Sequence, residues 1–130
     1  MADYGVNLYG NAILVNAKFA DENPEAVKAF LRAFTKALKD SLSKSSVAID
    51  SVIKRSGALR KDLELERFKM AVRDNILTPE VKANGYGGVD LARLDKAIDQ
   101  IALTYDFKNR PKADDIFTSQ YLPPAPERKL

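Results

Sequence analysis

The chain of 130 residues contains no cysteine and no histidine. Without cysteine it can form no disulfide, no thiolate metal site and no thiol nucleophile. Without histidine it lacks the commonest general base and the commonest transition-metal ligand. Carboxylates, lysine and tyrosine leave some catalysis open, but most familiar constellations are excluded. A cysteine-free chain fits any redox compartment and does not fix location. No apolar run approaches the ~20 residues that cross a bilayer. A basic stripe is missing too: the formal charge of +3 is the balance of 21 basic and 18 acidic residues interspersed along the sequence, which argues against a nucleic-acid partner. The start, "MADYGVNLYG", has no basic region followed by a long apolar one, so any export signal is expected outside these residues. Neither an internal repeat nor a low-complexity tract is present.

What is there has an ordinary globular balance, 45% hydrophobic and 30% charged, in a length suited to a single core. Residues 1–130 therefore read as one unit, divided into a strand region over 1–16, a helical region over 23–106 and a short helix with an extended tail over 107–130. The longest helix is expected in "NPEAVKAFLRAFTKALKDSLS", with Asn23 as cap, Pro24 at the first helical position and Glu25 at the positive end of the dipole. Val27, Phe30, Leu31, Phe34, Leu38 and Leu42 form the stripe expected to be buried, and Lys28, Arg32, Lys36 and Lys39 fall opposite. Ala26, Ala29, Ala33 and Ala37 make a small-residue flank that lets a neighbouring element approach closely.

A second helix is predicted from the Ser45-Ser46 pair to Gly57, and a third over residues 62–75 burying Leu65, Phe68 and Val72. "TPE" at Thr78 opens a short helix ending before Gly85. Asp90 caps a last long helix whose apolar face runs from Leu91 to Tyr105. A single turn is expected near Asp114 to Phe117, then an extended tail, since Pro123, Pro124 and Pro126 disfavour helix and sheet. The acid pair Asp114/Asp115 is expected just before a short helix and Glu64/Glu66 in a first turn, where capping and dipole stabilisation explain them better than catalysis or calcium. The glycine loop "GYGG" follows a helix and lacks a following Lys-Ser/Thr, so it is no P-loop.

Against these helices stands one strand candidate, "YGVNLYGNAILVN". An extended residue 6–15 segment puts Asn7, Tyr9, Asn11, Ile13 and Val15 on one face and Leu8, Ala12 and Leu14 on the other. A lone strand leaves its backbone unpaired. Three arrangements would answer that: a hairpin at Tyr9-Gly10-Asn11, pairing with a second copy, or a sheet supplied by sequence outside this chain.

The order "DYGVNLYGNAILVN", "FADENPEAVKAFLRAFTKAL", "LTPEVKANGYGGVDLARLDKAIDQIALTYDF" and "DDIFTSQYLPP" resembles the carboxyl-terminal portion of ABC-importer solute-binding proteins, in the group that handles nitrate, sulfonates, taurine and thiamine pyrimidine precursors. The resemblance implies a mostly α fragment with one amino-terminal β-strand, part of the first α/β lobe of a type II periplasmic-binding-protein fold. It implies a receptor, not an enzyme, located in the periplasm or otherwise outside the cytoplasmic membrane. Its partners would be a small solute in the full-length parent and an ABC permease, with no cofactor. It places Tyr9 and Asn11 near the ligand, and Tyr4 and Asn7 less closely. The isolated chain is expected to self-associate through the segment from Tyr4 to Asn16. The alternative from a different class is a self-contained helical interaction module that dimerises or pairs through that strand.

Overall fold

The computed structural model describes residues 8–130. Seven α-helices follow one another, α1 (Ala17–Glu22), α2 (Pro24–Ser43), α3 (Ser45–Arg55), α4 (Lys61–Ala71), α5 (Pro79–Asn84), α6 (Leu91–Ala102) and α7 (Ala113–Ile116), and the described residues contain no strand. The expected strand is thus corrected: residues 8–16 have no regular structure and form no hairpin. The physical reason is that a strand exists only against a partner, and no other segment among the described residues offers one. Val6 and Asn7 lie outside the described residues.

Helix boundaries follow local chemistry. Asn16 is extended, and its side chain accepts from the Phe19 amide at 3.1 Å, which starts α1, a helix the sequence pattern did not suggest. At Asn23 the amide and the side-chain Nδ2 both turn back to the Phe19 carbonyl, at 2.8 and 3.2 Å. Asn23 therefore closes α1 with the side chain that was expected to cap α2. Pro24 then opens α2, where its missing N–H costs nothing. α3 stops at Arg55, and α4 runs on into one π turn, Val72–Ile76, ended by the Leu77 amide bonding the Val72 carbonyl at 2.8 Å. Thr78 and Asp90 cap α5 and α6 through their side-chain oxygens as the sequence led us to expect. α6 ends at Ala102, so Tyr105 is off the helix and exposed. The Asp95 carboxylate on α6 accepts from the Ala113 amide at 3.1 Å and so sets the start of α7.

The proline tail is not merely extended. Residues Ala125–Arg128 make one 3₁₀ turn, and the tail folds over the glycine loop that follows α5. Arg128 donates through Nε to the Pro123 carbonyl and through Nη1 to the Tyr86 carbonyl, both at 2.8 Å, and its own carbonyl accepts from the Tyr86 amide at 2.8 Å. Further back, Tyr121 inserts beside Ala20 and Val27, with Leu31 packed against them. This small cluster joins α1, α2 and the tail.

Elsewhere burial is sparse: Ile49, Ala97, Ile98 and Ala113 are buried, and no large side chain among the described residues is fully enclosed. Two residues of the expected buried stripe are corrected as well, since Phe30 is 55% and Phe34 39% exposed. The apolar arc of α2 is wide, and the partners present cover only its Val27–Leu31–Thr35 side.

Gly85 has φ +82°, and a Cβ there would stand 3.0 Å from Arg128 Cβ and 3.2 Å from the Ala125 carbonyl oxygen. Gly85→Ala should therefore lower stability in urea by about 1–3 kcal/mol. Gly88→Ala has no left-handed φ, and its nearest contact is 3.6 Å to an Arg128 side-chain nitrogen. It should stay within about 0.5 kcal/mol of the parent, and equal losses at both positions would refute the role given to the tail.

Candidate functional site

The strongest long-range polar contacts start at Tyr9. Its hydroxyl donates to Glu80 Oε1 at 2.9 Å and accepts from the Asp90 amide at 2.8 Å. Glu80 stands in the first turn of α5, placed there by the Thr78 cap and Pro79. Arg93 stands in the first turn of α6, placed by Asp90. The Arg93 guanidinium lies over the Tyr9 ring, 4.1 Å from its centroid, and donates through Nη1 to Glu80 Oε2 at 2.7 Å and through Nη2 to the Leu8 carbonyl at 3.1 Å. The two oxygens of one carboxylate are thus divided between a phenol and a guanidinium. Both charged partners are about 70% screened from solvent at their side chains, 27% and 29% exposed, so this pair is worth more than the exposed Lys36–Asp40 pair of α2.

The Tyr9 phenol is pushed above its usual value of 10, first by burial. The Asp90 amide works against that shift, the hydrogen bond and negative charge of Glu80 add to it, and the Arg93 charge opposes it. At neutral pH Tyr9 is a neutral hydroxyl and a poor base. Chemically, then, the cluster orients and binds. The phenol and the guanidinium are complementary to a planar carboxylate-like anion, and Glu80 supplies that group from within the chain.

Of the residues singled out from sequence, Tyr9 is half-buried in this cluster and Asn11 is exposed two residues further on. Tyr4 and Asn7 lie outside the described residues. Glu80 and Arg93 were missed. Their partner is 71 and 84 positions away, a separation over which neither helical nor strand periodicity carries a signal. The acid pairs stay apart from this cluster. Asp115 accepts from the Lys112 amide at 2.9 Å as a cap, and Glu64 and Glu66 pair with Arg67 and Lys69 along α4. Among the described residues no group of three or more acidic side chains is placed to hold a metal ion. An open depression lined by Leu63, Glu66, Arg67, Lys69, Met70 and Arg73 is one face of α4 and its π turn, and it includes none of the cluster.

The segment that carries Tyr9 and Asn11, with α1 and α2 behind it, is the part of the chain that resembles a known family. Residues 1–48 match the NMT1/THI5-like family. The match ends inside α3 and so covers the segment, the capped α1 and the Pro24 start of α2. NMT1/THI5-like proteins are a solute-binding group, and THI5 members also include proteins with enzymatic roles. The resemblance read from the motifs is therefore borne out over these 48 residues. Comparison with curated proteins and with solved structures gave no match. No helix among the described residues is long and apolar enough to cross a membrane.

A raised phenol pKa stabilises the fold while the group is protonated, fully so below the unfolded value near 10, and the contribution is lost as pH rises through the folded value. Tyr9→Phe should cost about 1 kcal/mol at neutral pH, because water reaches the abandoned Glu80 and Asp90 groups. It should also remove part of the fall in stability above pH 10. Parallel pH curves for the two proteins would mean that the phenol does not titrate in this contact.

Proposed function

We propose that the chain is part of an extracytoplasmic solute-binding receptor that delivers a small solute to an ABC importer. The observation that carries this reading is the NMT1/THI5-like match over residues 1–48, which falls on the segment holding Tyr9 and Asn11. In this reading Asn11, with Tyr4 and Asn7 nearby, meets the solute, and Tyr9 stands at the edge of the cleft. Two lobes close on the ligand by a hinge, and affinity comes from groups on both. A chain carrying only part of one lobe should bind weakly or not at all. The partners are the solute and a membrane permease, and no cofactor takes part.

The enzymatic branch of the group is disfavoured by this chain's own residues. It has no histidine and no cysteine, and its best-placed hydroxyl has a pKa moved away from neutrality. A helical module that pairs with a second copy is the other reading, and the exposed segment 10–15 is the observation that favours it. Cell fractionation separates the two. In the source cells an antibody against this chain should detect a polypeptide well over twice its length, released from outside the cytoplasmic membrane. A band in the cytosol at 14.4 kDa would overturn the receptor reading.

A further inference from the structure

α5 has little to hold it in place on its own. It is six residues long, and none of them is buried. The helix pairs that pack substantially are α1 on α2, α2 on α3, α3 on α4 and α6 on α7, and α5 belongs to none of them. Helix nucleation is costly, and a helix well below about 12 residues does not persist in water without outside support. The support for α5 comes from two clasps, made by distant parts of the chain.

The first clasp is Tyr9. Its hydroxyl donates to Glu80 and accepts from the Asp90 amide, and so closes residues 80–90 into a loop, with Arg93 bracing the Glu80 carboxylate. The second clasp is Arg128, which grips the middle of that loop. The Tyr86 amide donates to the Arg128 carbonyl, and the Tyr86 carbonyl accepts from Arg128 Nη1. Gly85, buried and left-handed beneath the tail, donates to the Val81 carbonyl at 2.8 Å and ends the helix. The tail itself is seated by Tyr121 beside Ala20 and Val27.

The two clasps share no residue, and only about 9 Å of helix separates Glu80 from Tyr86. Within α5 the Lys82 amide bonds the Thr78 carbonyl and the Gly85 amide the Val81 carbonyl. A helix of so few bonds has no interior turn to survive when one end opens, because each bond relies on the turn beside it.

We propose that α5 is helical only while both clasps are closed, so that release of Tyr9 loosens the tail and release of the tail loosens Tyr9. The segment before α1 and the residues after Tyr121 are then two ends of one switch. A ligand or partner that pulls Tyr9 from Glu80 changes the state of the tail without touching it, and the reverse holds equally, since coupling between sites is reciprocal. This inference uses contacts within the chain alone and does not depend on the receptor reading.

The test is amide hydrogen exchange of the 130-residue chain, read residue by residue by NMR, for Tyr9→Phe, Arg128→Ala and the double variant. Tyr9→Phe should speed exchange at the Tyr86 amide, and Arg128→Ala at the Asp90 amide, each by roughly tenfold. The Ala113 amide, held by Asp95 on α6, is the control and should not change. At the Gly85 amide the double variant should exchange within about threefold of the faster single variant, because a helix already open has little left to lose. Two independent clasps would instead multiply to roughly 100-fold. That product would overturn the proposal, as would acceleration confined to the clasp that was altered, or equal acceleration at Ala113, which marks a loss of stability across the whole chain. If circular dichroism shows that Arg128→Ala unfolds the chain, Arg128→Lys, which keeps the charge but not the fork, takes its place in the same comparison.

Discussion

One carboxylate, that of Glu80, joins the start of the described chain to its second half. One oxygen takes the Tyr9 hydroxyl and the other the Arg93 guanidinium, and Arg93 completes the loop by stacking on the tyrosine and bonding the Leu8 carbonyl. Each member fixes a different element. Glu80 belongs to α5, Arg93 and Asp90 to the start of α6, and Tyr9 to the segment before α1. Taking away one partner leaves the others partly buried and charged or unpaired, and for that reason such a cluster acts as a unit. The contacts of Arg128 with the Tyr86 loop and of Tyr121 with α1 and α2 do the same at the other end of the chain.

These ties are needed because the helices bury so little against one another. Neighbours in sequence pack in order, α1 on α2, α2 on α3, α3 on α4 and α6 on α7, but the interior they make is mostly alanine, valine and isoleucine, with no large side chain fully enclosed among the described residues. Helix formation is local, and capping sets its limits; burial of an apolar face then stabilises it. α2 meets the first requirement along its whole length and the second along only half its apolar arc. Exposed Phe30 and Phe34 are where local propensity has been satisfied and tertiary packing has not.

That division explains what was legible in the sequence. Thr78, Pro79, Asp90 and Pro24 marked helix starts because capping and proline geometry depend on a few adjacent residues, and these starts are where the structure has them. The stripe Val27–Leu31 was legible as apolar, but periodicity cannot say which part of a wide arc finds a partner. α1 was missed because six residues carry too little period, and its signal was the Asn16 cap alone. The π turn has no pattern of its own, as it continues α4 with one residue more per turn. Tyr9 was singled out for a place beside a ligand, and the residues that hold it, Glu80 and Arg93, could not be read because the sequence separation is longer than any periodic signal. The segment 6–15 was read as an extended strand, and no strand forms among the described residues, since pairing depends on a partner that the pattern of one segment does not supply.

The segment from Leu8 to Asn16 has two ends with opposite requirements. At Tyr9 the polar groups are turned inward and satisfied by α5 and α6, while Leu14 is 92% exposed and Ile13 and Val15 are each about half exposed. Tyr9 ties the segment to α5 and α6 through the Glu80 carboxylate, and Asn16 passes it into α1 by accepting from the Phe19 amide, so the apolar residues between are anchored at both ends although Leu14 stays 92% exposed.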